Sequence, residues 1–310
     1  IGSLGPGAGR GSQMYKLLKQ NKDFSYETVD LDRREWLLYY NGFSNKALWP
    51  LLHYFTGHCH FDAKHWQMYV DVNKKFADKV IRMSRKSDLI WIHDFHLMLV
   101  PAMVRQKRPD AKIGFFLHTP FPSSEVFRIF PWRKEILEGL LGANLIGFHT
   151  YDYLRHFRSS LLRVLGLEGD MTGLHYEGRH IALDAVPVGA DVSRIEELLH
   201  SSKVQKNFNK LEKTTQGIKI LIGVDRLDYT KGIPDRLEAY GLFLEKYPQW
   251  RGKVELYQII VPSRVEVESY SNLKETIDAL AGRINAQFGR PDWTPIRCFY
   301  RQLAMEDLVN

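Results

Sequence analysis

The alternation of short apolar runs with amphipathic periodic segments predicts an α/β chain built on parallel sheets. Three observations carry that reading. Apolar runs at 89–93, 113–118, 218–224 and 254–261 are bounded by polar residues, as expected for strands buried on both faces. Between them lie segments whose apolar residues recur at spacings of three and four, the pattern of a helix with one buried face. Polar and charged residues follow the strands directly, and in open α/β sheets ligands bind beyond the carboxyl ends of the strands.

Taken in order, residues 1–12 hold five glycines but show neither a preceding strand nor a GxxxxGKS/T pattern. They read as a loose connector rather than a phosphate loop. The string Tyr39-Tyr40-Asn41-Gly42-Phe43-Ser44-Asn45, followed by Leu48-Trp49-Pro50, interleaves aromatic with small polar residues off the 3.6 period. It reads as a loop lining a polar pocket. Trp66, Val70, Phe76, Val80 and Met83 mark a helix across 61–85, with a drifting phase. Weaker strands are expected at 145–148 and 182–188, with a helix at 151–165 whose buried face carries Leu154, Phe157, Leu161 and Leu165.

The stretch 192–216 is rich in Lys, Ser, Asn and Thr. It reads as a helix end followed by a connector, dividing the chain into domains 1–200 and 201–310. Beyond it the rhythm restarts. A strand at 218–224 precedes a helix opened by Pro234, whose missing N–H is harmless in a first turn. Leu237, Tyr240 and Leu244 give that helix its buried face. The strand at 254–261 precedes the most regular helix of the chain, through Leu273, Ile277, Leu280, Ile284 and Phe288. A third strand at 295–300 leads to a helix at 305–310 that stops after one turn. Both domains read as incomplete.

Composition narrows the function. The 310 residues carry a net charge of +7, 44% hydrophobic and 13% aromatic residues, which excludes intrinsic disorder. The apolar runs are far shorter than the ~20 residues needed to span a bilayer. No leader opens the chain, and Cys59 and Cys298 are too distant for a disulfide framework, so a cytoplasmic location is expected. The basic balance favours an anionic ligand. Without a Lys/Arg tail or a zinc-ligand array, nucleic acid is not the expected partner, and neither is a membrane.

Four strand exits and the aromatic patch supply the candidate residues. Asp94 follows the run 89–93, either as a helix cap or as a carboxylate accepting from a sugar hydroxyl. Neither His93-Asp94-His96 nor His58-Cys59-His60 has the spacing of a metal site. His118 ends the run 113–118 before the stiff exit Thr119-Pro120-Phe121-Pro122, as a satisfied strand-end histidine or an oriented ligand group. Arg226 and Lys231 share a short loop before a helix N-terminus, an arrangement suited to a diphosphate unless Asp225 and Asp228 neutralise them. Arg264 follows the strand at 254–261 and suits a second anion.

Six strings in order, YYNGFSNKALWPLLHY (39–54), DLIWIHDFHLMLVP (88–101), GFFLHTPFPSSEVFRIFP (114–131), VDRLDYTKGIPDR (224–236), IVPSRVEV (260–267) and AGRINAQFG (281–289), resemble the trehalose-6-phosphate synthases. These are retaining glycosyltransferases with two facing Rossmann-like domains, the GT-B type. The resemblance runs from about residue 26 to the end. It implies transfer of glucose from UDP-glucose to glucose 6-phosphate, giving trehalose 6-phosphate and UDP with no cofactor and no metal. Tyr40, Trp49 and Arg264 then hold the acceptor phosphate, and Asp94 fixes the acceptor sugar. His118 lies against the donor glucose, Arg226 and Lys231 grip the diphosphate, and Leu303 lies near the nucleotide base. Two departures stand out. Neither the family's first strand with its glycine loop and arginine nor the acidic, glycine-containing donor loop is in the sequence, so the chain reads as truncated at both ends. A non-catalytic, sugar-phosphate-binding regulatory homologue is the alternative, and association into a homo-oligomer is left open.

Overall fold

The computed structural model describes residues 1–3, 5, 6, 12–20, 24–170, 172–215, 217–262 and 268–309. The glycine run 7–11 lies outside the described residues. The chain divides into two compact units, Ile1–Val188 and Gly189–Asn310.

The first unit begins with α1 (Gln13–Gln20), α2 (Arg33–Trp36) and a twelve-residue π-helix, Leu37–Leu48, that runs into α3 (Trp49–Leu52). The loop expected at 39–50 is therefore helical. Its aromatics fail the 3.6 period because a π-turn takes about one more residue. On the wider period Tyr39, Phe43 and Leu48 fall on the inner side, and all three are buried. Gly42 permits close packing here, since a Cβ would lie 3.0 Å from the His65 ring.

Next come α4 (Ala63–Met83), β1 (Leu89–His93), α5 (Val100–Lys107), β2 (Lys112–Leu117), α6 (Ser124–Phe127) and α7 (Arg133–Leu140). The unit closes with β3 (Leu145–Phe148), α8 (Tyr151–Leu165), β4 (Gly173–Tyr176) and β5 (Arg179–Ala185). The sheet order is β1-β2-β3-β5-β4, parallel except for the antiparallel pair β4–β5. Burial on both faces holds for the far end of β2 but not for β1. β1 buries Ile90 and Ile92 and exposes Leu89 and Trp91, because it stands at the sheet edge with one face covered.

The stretch expected as a helix end followed by a connector holds a pair of helices, α9 (Val192–Leu199) and α10 (Ser202–Thr214), the second where the connector was expected. Asp191 and Ser201 cap them by accepting from the N–H of Arg194 and Val204. Of their described side chains Val204 is deeply buried, so the composition stays polar while the caps define helices. The second unit continues with β6 (Lys219–Arg226), α11 (Ile233–Lys246), β7 (Val254–Val261), α12 (Glu268–Phe288), β8 (Ile296–Tyr300) and the single turn α13 (Met305–Leu308). Its sheet is parallel, in the order β6-β7-β8. Ile233, Leu237 and Leu244 of α11 meet Ile277 and Ile284 of α12 over Leu256 and Ile260 of β7.

One piece of packing fixes the turn after β1. Tyr69 and Asn73 sit one helical turn apart on the buried face of α4. The Tyr69 hydroxyl donates to the Phe95 carbonyl at 2.7 Å and accepts from the Met98 N–H at 3.1 Å. The Asn73 amide donates to the His96 carbonyl at 3.0 Å, and its oxygen accepts from the Leu99 N–H at 3.2 Å. Tyr39 on the π-helix donates to the same His96 carbonyl at 3.0 Å. Three buried side chains thus hold residues 95–99 by the backbone. Removing the Tyr69 hydroxyl strands two buried backbone groups, each costing about 1–3 kcal/mol. Tyr69→Phe is expected to lower stability by at least ~2 kcal/mol, read as a fall in the urea midpoint with an unchanged slope.

Candidate functional site

In the first unit, the candidate residues gather at the carboxyl ends of β1 and β2. Asp94 continues the ladder through its N–H to the Phe116 carbonyl at 2.8 Å. Its φ and ψ are 71° and 169°, a region essentially reserved for glycine and costing a side-chain-bearing residue about 1–3 kcal/mol. The turn held by Tyr69 and Asn73 keeps it there. Asp94 stands at the cap position of a short 3₁₀ turn, Phe95–Leu97, yet its side chain makes no capping bond. The capping reading is thereby set aside. Oδ1 is buried and without a hydrogen-bond partner among the described residues, while Oδ2 lies 3.9 Å from the His96 ring. Burial raises the carboxyl above the ordinary carboxylate range, opposed in part by the Phe95 N–H and the His118 imidazole. With Oδ1 covered, the 26% of the side chain that stays exposed is what a hydroxyl donor can approach.

Two predicted residues flank this turn. The Tyr40 ring is stacked between Trp36, with centroids 4.2 Å apart, and His96, at 5.5 Å. Trp49 is buried at the start of α3, its indole 4.0 Å from the His53 ring and 5.6 Å from Phe95. Tyr40, Trp49 and Asp94 therefore surround one turn although 54 residues of numbering separate the first from the last. His118 follows β2 and is exposed. Its Nε2 lies 3.0 Å from Nδ1 of His93, the last residue of β1. The exit behind it is anchored by Phe121, fully buried against Phe127, Phe148 and Phe157.

In the second unit, Arg226 ends β6 and is exposed, while the next two residues, Leu227 and Asp228, are buried. Asp228 Oδ1 accepts from the Thr230 N–H at 3.0 Å and its hydroxyl at 2.9 Å, folding Tyr229–Lys231 into a 3₁₀ turn. Gly232, at φ 60°, ends that turn and starts α11 without a side-chain cap. The first-turn N–H groups of α11 are thus left to a ligand or to water. Asp225 is engaged by Arg236 at 2.6 Å, with Gln258 bridging to the same guanidinium at 2.8 Å. Asp225 therefore serves Arg236, and Lys231 has no ion pair among the described residues. A mobile positive charge beside an open helix N-terminus attracts a phosphate group. Arg264 lies outside the described residues. Leu303 is half-buried in the link between β8 and α13, on the carboxyl side of the same sheet.

Sequence reasoning missed Tyr69 and Asn73, while it read Tyr39 only as part of the aromatic patch and weighed His93 only as a metal ligand. Tyr69 and Asn73 carried a signal: two polar-capable residues at i and i+4 on a face otherwise made of Val72, Phe76 and Ala77.

A glycosyltransferase family 20 model matches residues 11–310. The alpha,alpha-trehalose-phosphate synthase (UDP-forming) of Yarrowia lipolytica is 49% identical over 278 residues, 88% of this chain and 59% of the relative. Among solved structures, a trehalose-phosphate synthase from Burkholderia xenovorans in complex with glucose-6-phosphate superposes with a TM-score of 0.87 at 34% identity. That match covers 91% of this chain and 63% of the other. The N-terminal domain of Candida albicans trehalose-6-phosphate phosphatase is equally similar, with a TM-score of 0.87, 34% identity, and 97% and 65% covered. The chain spans about three-fifths of the length of these relatives. The likeness assigns the GT-B fold. With the family match running over nearly its whole length, the chain belongs to glycosyltransferase family 20.

Proposed function

We propose that the protein transfers glucose from UDP-glucose to glucose 6-phosphate with retention, releasing UDP and trehalose 6-phosphate. The observation that carries this reading is Asp94: a partly buried carboxylate with one buried oxygen unsatisfied, held in strained backbone beside Tyr40 and Trp49. The names of the relatives, UDP-forming synthases, and the glucose-6-phosphate complex of one neighbour support the substrates.

The reaction breaks the bond between the anomeric carbon of the donor glucose and the diphosphate oxygen. UDP leaves with the electron pair, and the anomeric hydroxyl of glucose 6-phosphate attacks from the same face. Its proton passes to the departing phosphate oxygen. No carboxylate nucleophile on the opposite face is required. Arg226 and Lys231, with the N-terminus of α11, stabilise the charge that grows on the leaving group. Asp94 accepts from acceptor hydroxyls, Tyr40, Trp49 and Arg264 hold the acceptor phosphate, and His118 holds the donor glucose. Leu303 lies near the base.

The alternative, a homologue that binds sugar phosphate without turnover, is not favoured by the names of the relatives, which are UDP-forming synthases. It predicts calorimetric binding of glucose 6-phosphate and UDP with no UDP release. Retention of Asp94, His118, Arg226 and Lys231 together supports turnover.

A cytoplasmic location is part of the proposal. Cys59 and Cys298 are unpaired, and burial pushes both thiols up to about 11, so they are poorly ionised at neutral pH. No helix among the described residues is long and apolar enough to cross a membrane.

Two expectations test the reading. In steady-state assays of UDP release, Lys231→Ala lowers kcat by about 10²–10³, as for loss of one preorganised charge-stabilising group, whereas Tyr40→Phe raises KM for glucose 6-phosphate and leaves kcat nearly intact. Equal small effects from both would contradict this division of roles. Asp94→Asn separates stability from function. Because the folded carboxyl titrates above its unfolded value, ionised Asp94 costs stability at neutral pH, and that cost fades as pH falls through the folded value. Asn removes the charge and bears the same backbone strain as Asp. The variant is therefore expected to melt higher, by about 2–4 °C for each kcal/mol relieved, while losing acceptor binding in calorimetry.

A further inference from the structure

Three histidines stand at the carboxyl ends of three adjacent parallel strands: His93 closing β1, His118 after β2 and His149 after β3. His93 and His118 form a pair. The rings lie 5.2 Å apart at 25°, and Nδ1 of His93 is 3.0 Å from Nε2 of His118. Trp91 closes one side of His93 at 4.5 Å, and Phe116 one side of His118 at 4.8 Å. The titratable groups around the pair are Asp94, next along the chain from His93, and His149, its ring edge-on to His118 at 5.8 Å.

The exit Thr119-Pro120-Phe121-Pro122 fixes the backbone behind His118, yet the exposed imidazole still rotates about its own side-chain bonds. The contact with His93 removes that freedom. A 3.0 Å separation between ring nitrogens needs one donor and one acceptor. With Nε2 of His118 engaged, its Nδ1 is the nitrogen left for another partner, and the tautomer of one ring sets that of the other.

We infer that His93 is a positioning residue: it holds the His118 ring and fixes the protonation of the nitrogen that His118 offers to the donor sugar. This rests on the role of His118 proposed above. A consequence follows from proton counting. The neutral pair shares one hydrogen across the contact, and so does the singly protonated pair. A second added proton puts an N–H on both facing nitrogens, and the contact must open. Burial, and then the neighbouring His118, hold His93 below the ordinary imidazole range, so that opening belongs to the acid side.

The test combines kinetics with an NMR titration. UDP release is followed between about pH 5.5 and 8, the span in which imidazoles titrate, with UDP-glucose and glucose 6-phosphate varied separately. His93→Phe keeps the ring volume and removes the hydrogen bond, and His93→Gln retains a hydrogen-bonding side chain. The expected result is a rise of about fivefold in the KM for UDP-glucose in His93→Phe, the worth of one neutral hydrogen bond, with the KM for glucose 6-phosphate unchanged. His93→Gln recovers most of the loss. The acid-side rise in donor KM, present in the unsubstituted protein, flattens in His93→Phe. An equal rise in both KM values, or an acid limb that His93→Phe leaves in place, overturns the inference. Independently, the His93 ring is titrated in the unsubstituted protein and in His118→Phe. Removing the neighbour is expected to raise the His93 midpoint, and a His93 titration indifferent to residue 118 overturns the pairing. If the unsubstituted protein releases no UDP at all, the transferase reading fails, and the titration still decides whether the pair exists.

Discussion

The first unit depends on one constraint: the backbone at residue 94 is held in a conformation that its side chain disfavours. Nothing local in an Asp-Phe-His sequence calls for φ 71°. The strain persists because Tyr69, Asn73 and Tyr39 hold the following turn by its carbonyl and N–H groups from two helices packed against it. The outcome is a carboxylate set beyond the end of β1 with one buried oxygen unmatched. Other buried polar atoms among the described residues also lack a partner, but Asp94 combines this with a strand-exit position and a side chain 26% exposed. Tyr40 and Trp49 are drawn into the same place by stacking on His96 and Phe95, the residues that the turn presents.

The second unit solves a different problem with the same architecture. Its strand exit presents positive charge close to acidic residues. Asp225 and Asp228 both lie within two residues of Arg226 in sequence, which suggests internal ion pairs. Asp225 is held by Arg236 and Gln258, and Asp228 shapes the turn through Thr230. Lys231 is left beside the uncapped start of α11, where two weak attractions for an anion act together.

Much of this was legible beforehand. Strands at 89–93, 145–148 and 254–261 and the helix at 151–165 follow from apolar periodicity alone, since burial sets both the period and the boundaries. The π-helix was not legible, because its period differs from the one sought and its buried Asn and Ser resemble loop composition. β4 escaped notice because four residues with His175 and Tyr176 on the pairing edge carry too little apolar signal. The helical pair after Val188 was hidden by polar surfaces, although the caps Asp191 and Ser201 were there to be read. The site residues named in advance were those at strand exits and in the aromatic patch at 39–50. Tyr69 and Asn73, which hold the exit of β1 in place, were missed, because they lie far away in sequence and look like ordinary core.

The most direct measurement is a carbon-13 titration of the Asp94 carboxyl, alone and with saturating glucose 6-phosphate. Burial without a partner for Oδ1 predicts a midpoint above the ordinary carboxylate range in the free protein. Sugar hydroxyls donating to the anion should bring it down when glucose 6-phosphate binds. A free-protein midpoint at or below the ordinary range, or one that the sugar phosphate leaves unmoved, would contradict the role given to this carboxylate.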